Sequence, residues 1–176
     1  MDKKEAFMFL TPLGKLRTKK TTTINTSPFS IGMETLDRDL FNPLPTYRHL
    51  ETLGAKWARI QPGWAKCETV EGKYDFAWLD TVVDALLNIG MQPWMNLGYG
   101  NKIYIPECNH PFGTGWSPLG TDRARKGWCH FVDALARHYK GRITHFEIWN
   151  EPDGAEYYWK PVAKQDPVGV VELTKL

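Results

Sequence analysis

Apolar residues recur with two alternating periods along residues 28–176, and that alternation leaves the chain few architectures. After Pro28, Phe29-Ser30-Ile31-Gly32-Met33 reads as a short strand that ends in the polar loop Glu34 to Asp39. Pro43 and Pro45 open a helical stretch through Tyr47, Leu50 and Leu53, with Gly54 as its stop. Ala55 to Gln61 is a second strand, in which Trp57, Arg59 and Gln61 share one face and Ala58 and Ile60 the other. Ala77, Leu79, Val82, Val83, Leu86 and Leu87 then follow at helical spacing up to Gly90. Met91 to Leu97 is a third strand, with Pro93 an awkward member for inner pairing. Asp122 stands where it caps a third long helix, whose stripe is Trp128, Phe131, Val132, Leu135 and Tyr139. A fourth strand from His145 stops at Asn150-Glu151-Pro152, and a further helix begins at Pro167.

Strand, helix, strand, helix at this beat predicts parallel pairing with helices outside, because a parallel crossover needs about a dozen residues or more. About four such units are present. An open doubly wound sheet and a (β/α)8 barrel both begin this way, and both gather chemistry at the carboxyl ends of their strands. The polar residues here fall at those ends: Glu34, then Arg59 and Gln61, then Asn96, then Asn150 and Glu151. No Gly-rich phosphate loop follows the first strand, and neither GxGxxG nor a Walker motif occurs, which counts against a nucleotide fold. No strand-end lysine of the kind a Schiff-base aldolase needs is visible.

Charge and cysteine content remove other classes. The formal net charge is +2, and much of the excess sits in Lys15, Arg17, Lys19 and Lys20, so no nucleic-acid footprint is expected. No apolar run approaches the roughly 20 residues of a membrane span. Residues 1–27 read as an irregular, solvated lead-in with no signal-peptide core, which makes a cytoplasmic protein the expectation unless the natural start lies elsewhere. Cys67, Cys108 and Cys129 lack zinc or redox spacing and read as free thiols; neither a metal nor a cofactor is expected.

The run Phe146-Glu147-Ile148-Trp149-Asn150-Glu151-Pro152, Arg59 late in strand two, and Gly72-Lys73-Tyr74-Asp75-Phe76-Ala77-Trp78-Leu79-Asp80 together resemble the amino-terminal half of a clan A retaining glycoside hydrolase. Within that clan, the Trp-Asn-Glu-Pro form and Gly32-Met33-Glu34-Thr35-Leu36-Asp37-Arg38 are most similar to glycoside hydrolase family 39, the β-xylosidase and iduronidase group, with family 5 second. The resemblance implies that residues 28–176 are the first half of a (β/α)8 barrel and act on β-linked oligo- or polysaccharides. It assigns Glu151 as the general acid/base, Asn150 as the partner of the sugar 2-hydroxyl, and Arg59 as the support of the catalytic carboxylates.

Retaining hydrolysis needs an acid for the leaving oxygen and a second carboxylate about 5–5.5 Å away as nucleophile. Partial burial and that second charge should keep Glu151 protonated near neutral pH. Glu147 shares Glu151's strand face but lies too deep, and pairs instead with Arg59 inside the barrel. The family's nucleophile ends strand seven, which this chain does not reach. Glu34, Asp37, Glu68 and Asp153 read as solvated loop acids or caps. The expectation is therefore half a catalytic pair, the alternative being a carbohydrate-binding remnant. Substrate contacts are expected from Asn96 and from the rim aromatics Trp64, Trp116 and Trp159, with Trp94 and Tyr99 beside them. The open fourth strand is expected to invite self-association.

Overall fold

The computed structural model describes residues 13–15, 17–160 and 166–176. Strands β1 (Ser30–Met33), β2 (Trp57–Ile60), β3 (Gln92–Leu97) and β4 (Phe146–Ile148) form one parallel sheet in the order of the chain. The helices are α1 (Tyr47–Leu50), α2 (Trp64–Cys67), α3 (Ala77–Asn88), α4 (Asp122–His138), α5 (Ala155–Tyr158) and α6 (Pro167–Lys175). This is the amino-terminal half of a (β/α)8 barrel. Among the described residues no helix is long and apolar enough to cross a membrane.

The two faces of the sheet differ as a half barrel requires. Met33, Ala58, Ile60, Met95 and Leu97 point outward and are buried, with Leu79, Val82, Val83 and Leu86 of α3 and Trp128, Phe131 and Leu135 of α4 completing the same core. Of the inward residues, Trp57, Arg59, Gln92, Trp94 and Glu147 are only half-buried, while Asn96 is fully buried. A closed barrel fills its interior with such side chains in layers drawn from alternate strands. Here they line an open concave face.

Pro93 sits within β3 without breaking the ladder. The Gln92 amide donates to Lys56 O (2.7 Å) on the β2 side, and the Met95 amide donates to His145 O (3.1 Å) on the β4 side. By this alternation Pro93's missing N–H faces β4, whose pairing starts only at Met95. No hydrogen bond is lost.

Three local expectations are corrected. The first helix is a single turn, and Leu53 is exposed, because its backbone bridges to Lys19 instead of continuing the helix. Thr121, not Asp122, caps α4: it alone has the extended backbone of a cap, and its Oγ1 accepts from the Ala124 amide at 3.1 Å. Asp122 occupies the first turn, where a carboxylate suits the helix dipole. The lead-in is not simply solvated. Thr21 is fully buried, its hydroxyl donating to the carbonyl of Ile89 and its amide to Glu51 O (2.7 Å), while Lys56 Nζ donates to Thr21 O and Gly90 O at 2.8 Å each. This strap closes the amino-terminal end of β2 and β3. Residues 1–12, part of the same expected lead-in, lie outside the described residues.

Candidate active site

Arg59 organises the carboxyl ends of the strands. In register it lies between Gly32 of β1 and Trp94 of β3, and its guanidinium sits 5.5 Å from the centroid of the Trp94 ring. Nη1 donates to Glu34 Oε1 (2.7 Å), Nε and Nη2 both donate to Glu147 Oε2 (2.8 and 2.6 Å), and Nη2 also donates to Asn150 Oδ1 (3.0 Å). Gly32 makes room for the Glu34 carboxylate, since a Cβ there would stand 2.2 Å from Glu34 Oε2. Burial works against the Arg59 charge, and its hydrogen bonds to the Glu34 and Glu147 carboxylates more than offset it, so its pKa is held above the ordinary value. The expected pairing of Arg59 with Glu147 is present.

Beyond β4 the chain turns sharply. Trp149 (φ 68°) and Glu151 (φ 50°) both adopt left-handed backbone, which costs a non-glycine residue about 1 kcal/mol or more each. The turn is pinned from several sides. The Trp149 amide donates to Leu97 O (2.8 Å), its indole N–H donates to Tyr158 O (2.5 Å), and Asn96 Nδ2 donates to its carbonyl. The Trp149 ring is buried edge-on against Tyr99 (5.3 Å) and Trp159 (5.0 Å). Glu151 projects from this turn, exposed and without a side-chain hydrogen bond among the described residues. The partial burial expected for it is therefore not provided by the described residues.

Several predicted contact residues take other roles. Trp64 is fully buried, stacked on Tyr104 (5.0 Å) and close to Trp128 and Phe131, because α2 turns it under the loop rather than over the rim. Trp159 is fully buried with its indole N–H on Asp166 Oδ2 (3.3 Å). Tyr99 is buried too, and desolvation raises its hydroxyl pKa. Trp116 is half-buried near Lys160 and lines a hollow of about 280 Å³ with Tyr104, Ile105 and Ala124. Asn96 is wholly buried: Oδ1 accepts from Gln61 (3.1 Å), and Nδ2 serves Glu147 Oε2 (2.9 Å) as well as Trp149 O, so it holds the turn and has no surface to offer a sugar.

Two expected loop acids are also buried. Glu68 accepts from Trp64 Nε1, Gly72 N and Tyr104 Oη, each at 2.6 Å. Asp37 lies beside Arg38 (3.3 Å), and desolvation raises its pKa. Glu34 and Asp153 remain at the rim, the first committed to Arg59 and the second exposed. Sequence reasoning missed Arg38, which donates to Gln61 Oε1 at 2.7 Å. Gln61 was within reach of that reasoning, because period-2 geometry puts it on Arg59's face; Arg38 was not, because its position depends on a turn bracketed by left-handed Thr35 and Asp39. Among the described residues no group of three or more His, Cys, Asp or Glu could hold a metal ion.

The family model described as Glycosyl hydrolases family 39 matches residues 63–173. A beta-xylosidase of Caldicellulosiruptor saccharolyticus is 26% identical over 93 residues, covering 49% of this chain and 19% of the relative. A beta-xylosidase of Geobacillus stearothermophilus is 25% identical over 111 residues, covering 57% and 21%. The solved family 39 glycoside hydrolase from Bacteroides cellulosilyticus WH2 superposes with a TM-score of 0.57 at 25% identity, over 81% of this chain and 27% of that one. A beta-glucosidase from Exiguobacterium antarcticum B7 shares the fold, with a TM-score of 0.59 at 13% identity over 85% and 42%. The chain thus spans about a fifth of the length of the curated relatives it matches. With Trp-Asn-Glu-Pro at the end of β4 and a family model matching well over half of its residues, the chain belongs to glycosyl hydrolases family 39.

Proposed function

We propose that this chain supplies the acid/base half of a retaining site for β-linked glycosides, β-xylosides first, with the nucleophile outside these 176 residues. The observation that carries the reading is that Arg59 of β2 reaches Asn150, the neighbour of Glu151 in the turn after β4. Arg59 can only donate, so its bond to Asn150 Oδ1 leaves the amide NH₂ as the group that would donate to a sugar 2-hydroxyl. Glu151 beside it protonates the leaving oxygen and then withdraws a proton from the attacking water. Glu34 and Glu147 are both committed to Arg59, which leaves neither free to attack an anomeric carbon. The relatives named as beta-xylosidases support the choice of sugar.

Incubating the 176-residue chain with an aryl β-xyloside is expected to give no turnover above background. Sustained turnover that Glu151→Gln abolishes would show that a nucleophile lies within these residues and sink that part of the proposal. A second reading, sugar binding without hydrolysis, is favoured by the commitment of both inward carboxylates, Glu34 and Glu147, to Arg59. Quenching of tryptophan fluorescence by xylo-oligosaccharides in the absence of product would support it.

The outer edges of β1 and β4 have no partner strand among the described residues, and Phe146 is 41% exposed on β4. We propose self-association through these edges. Sedimentation velocity should show a sedimentation coefficient that rises with concentration, and a strictly monomeric chain across the micromolar range would refute it.

A further inference from the structure

Between the loop after β1 and the turn after β4 runs a chain of two buried amides whose polarity is set at both ends. At one end stands the Arg38 guanidinium, which can only donate; at the other stand the Trp149 carbonyl and the Glu147 carboxylate, which can only accept. Between them just one arrangement satisfies every group. Gln61 Oε1 accepts from Arg38 Nη2 (2.7 Å), Gln61 Nε2 donates to Asn96 Oδ1 (3.1 Å), and Asn96 Nδ2 donates to Glu147 Oε2 (2.9 Å) and to the Trp149 carbonyl. Gln61 is 2% exposed and Asn96 fully buried, so water cannot substitute for a missing partner. Arg38 is itself held by Asp37 and by the short helical turn Leu36–Arg38.

The acceptor at the far end belongs to one of the two strained residues of the turn that carries Glu151. A left-handed tryptophan persists only where its surroundings over-determine it. We propose that Gln61 is a positioning residue for the acid/base: it orients the Asn96 amide, and Asn96 in turn holds the Trp149 carbonyl so that the turn projects Glu151. The inference rests on the reading of Glu151 as acid/base, and it gives a glutamine with no contact to Glu151 a part in the reaction.

Gln61→Glu is the sharpest test, because it is nearly isosteric and keeps the Arg38 contact while placing an acceptor against Asn96 Oδ1. To relieve that clash Asn96 must flip, which points its oxygen at the Trp149 carbonyl and the Glu147 carboxylate. In the ¹⁵N-labelled 176-residue chain, hydrogen exchange at the Trp149 and Gly154 amides is expected to accelerate at least tenfold, while Phe131 and Leu135 in α4 change less than twofold. The Asn96 side-chain NH₂ signals should move upfield as they lose their acceptors. Gln61→Met removes the donor to Asn96 Oδ1 without adding a charge; Asn96 Nδ2 keeps both of its acceptors there, so the turn amides alone are expected to exchange faster, and that readout decides the matter where the Glu variant does not fold. Turn exchange within twofold of the parent and unmoved Asn96 signals would overturn the proposal. The measurement reads the turn and not turnover, so a wrong assignment of Glu151 would show separately, as activity retained by Glu151→Gln in a completed barrel.

Discussion

Glu151→Gln, placed in a catalytic domain completed through its remaining strands, is expected to lower kcat on an alkyl β-xyloside by about 10²–10⁴-fold, roughly 3–5 kcal/mol of barrier. The amide is nearly the same shape as the carboxyl group but has no proton to give the departing oxygen. An alkoxide is too basic to leave unprotonated, so the first chemical step stalls. A nitrophenolate leaves without help, so on the nitrophenyl β-xyloside the same variant should retain far more of its first-step rate. Burst kinetics on both substrates separate the two cases. Equal losses for both leaving groups, or none, would remove Glu151 from the acid role. Thermal stability should stay within a degree or two, because Glu151 is exposed and its side chain holds no other residue among those described.

Glu68→Ala is expected to cost about 3–5 kcal/mol, the largest stability loss foreseen in this chain. Glu68 has no exposed surface and accepts three donors from three separate segments: the α2 indole of Trp64, the Gly72 amide in the following turn, and the Tyr104 hydroxyl of the long loop after β3. Its own backbone carbonyl accepts from Asn101 Nδ2 at 2.8 Å, which fastens that loop a second time. Burial, and then the facing Glu68 carboxylate, push the Tyr104 pKa up, so the phenol stays a donor throughout the physiological range. Alanine leaves all three donors without an acceptor in a packed aromatic cluster, at about 1–3 kcal/mol apiece, less whatever entering water recovers. Set against a typical domain stability of about 5–15 kcal/mol, a loss of this size is a large fraction of the whole. Glu68→Gln keeps one acceptor but turns an NH₂ toward a donor, and should cost about 1–2 kcal/mol. Urea unfolding followed by tryptophan fluorescence measures both; a Glu68→Ala midpoint equal to the parent's would show that the cluster is not what holds the loop.

How far the sequence could be read follows from the range of the forces concerned. Strand and helix positions are set by steric periods of two and 3.6 residues acting on neighbours, and the four strands and the stripes of α3 and α4 were accordingly legible. So was the Arg59–Glu147 pair, although its members are 88 residues apart. Parity put both on the inner face, and a guanidinium there needs a carboxylate. Asn150 was legible as the neighbour of Glu151, but not as an acceptor from Arg59.

The errors share a cause. Trp64, Trp159 and Glu68 stand in loops by sequence and in the core by structure, because burial depends on what another segment lays over them. Asn96 looked like a strand-end hand for substrate, yet it is spent on Gln61, Glu147 and Trp149, three partners assembled only when β2, β3 and β4 align. From its sequence alone the chain was determined to be four parallel βα units with an acid at the end of the last strand, since period and residue type are local. Which acids and aromatics face solvent, which amide holds which carbonyl, and how Glu151 is aimed were decided only by tertiary structure, because hydrogen bonds between segments require a register that no local pattern encodes.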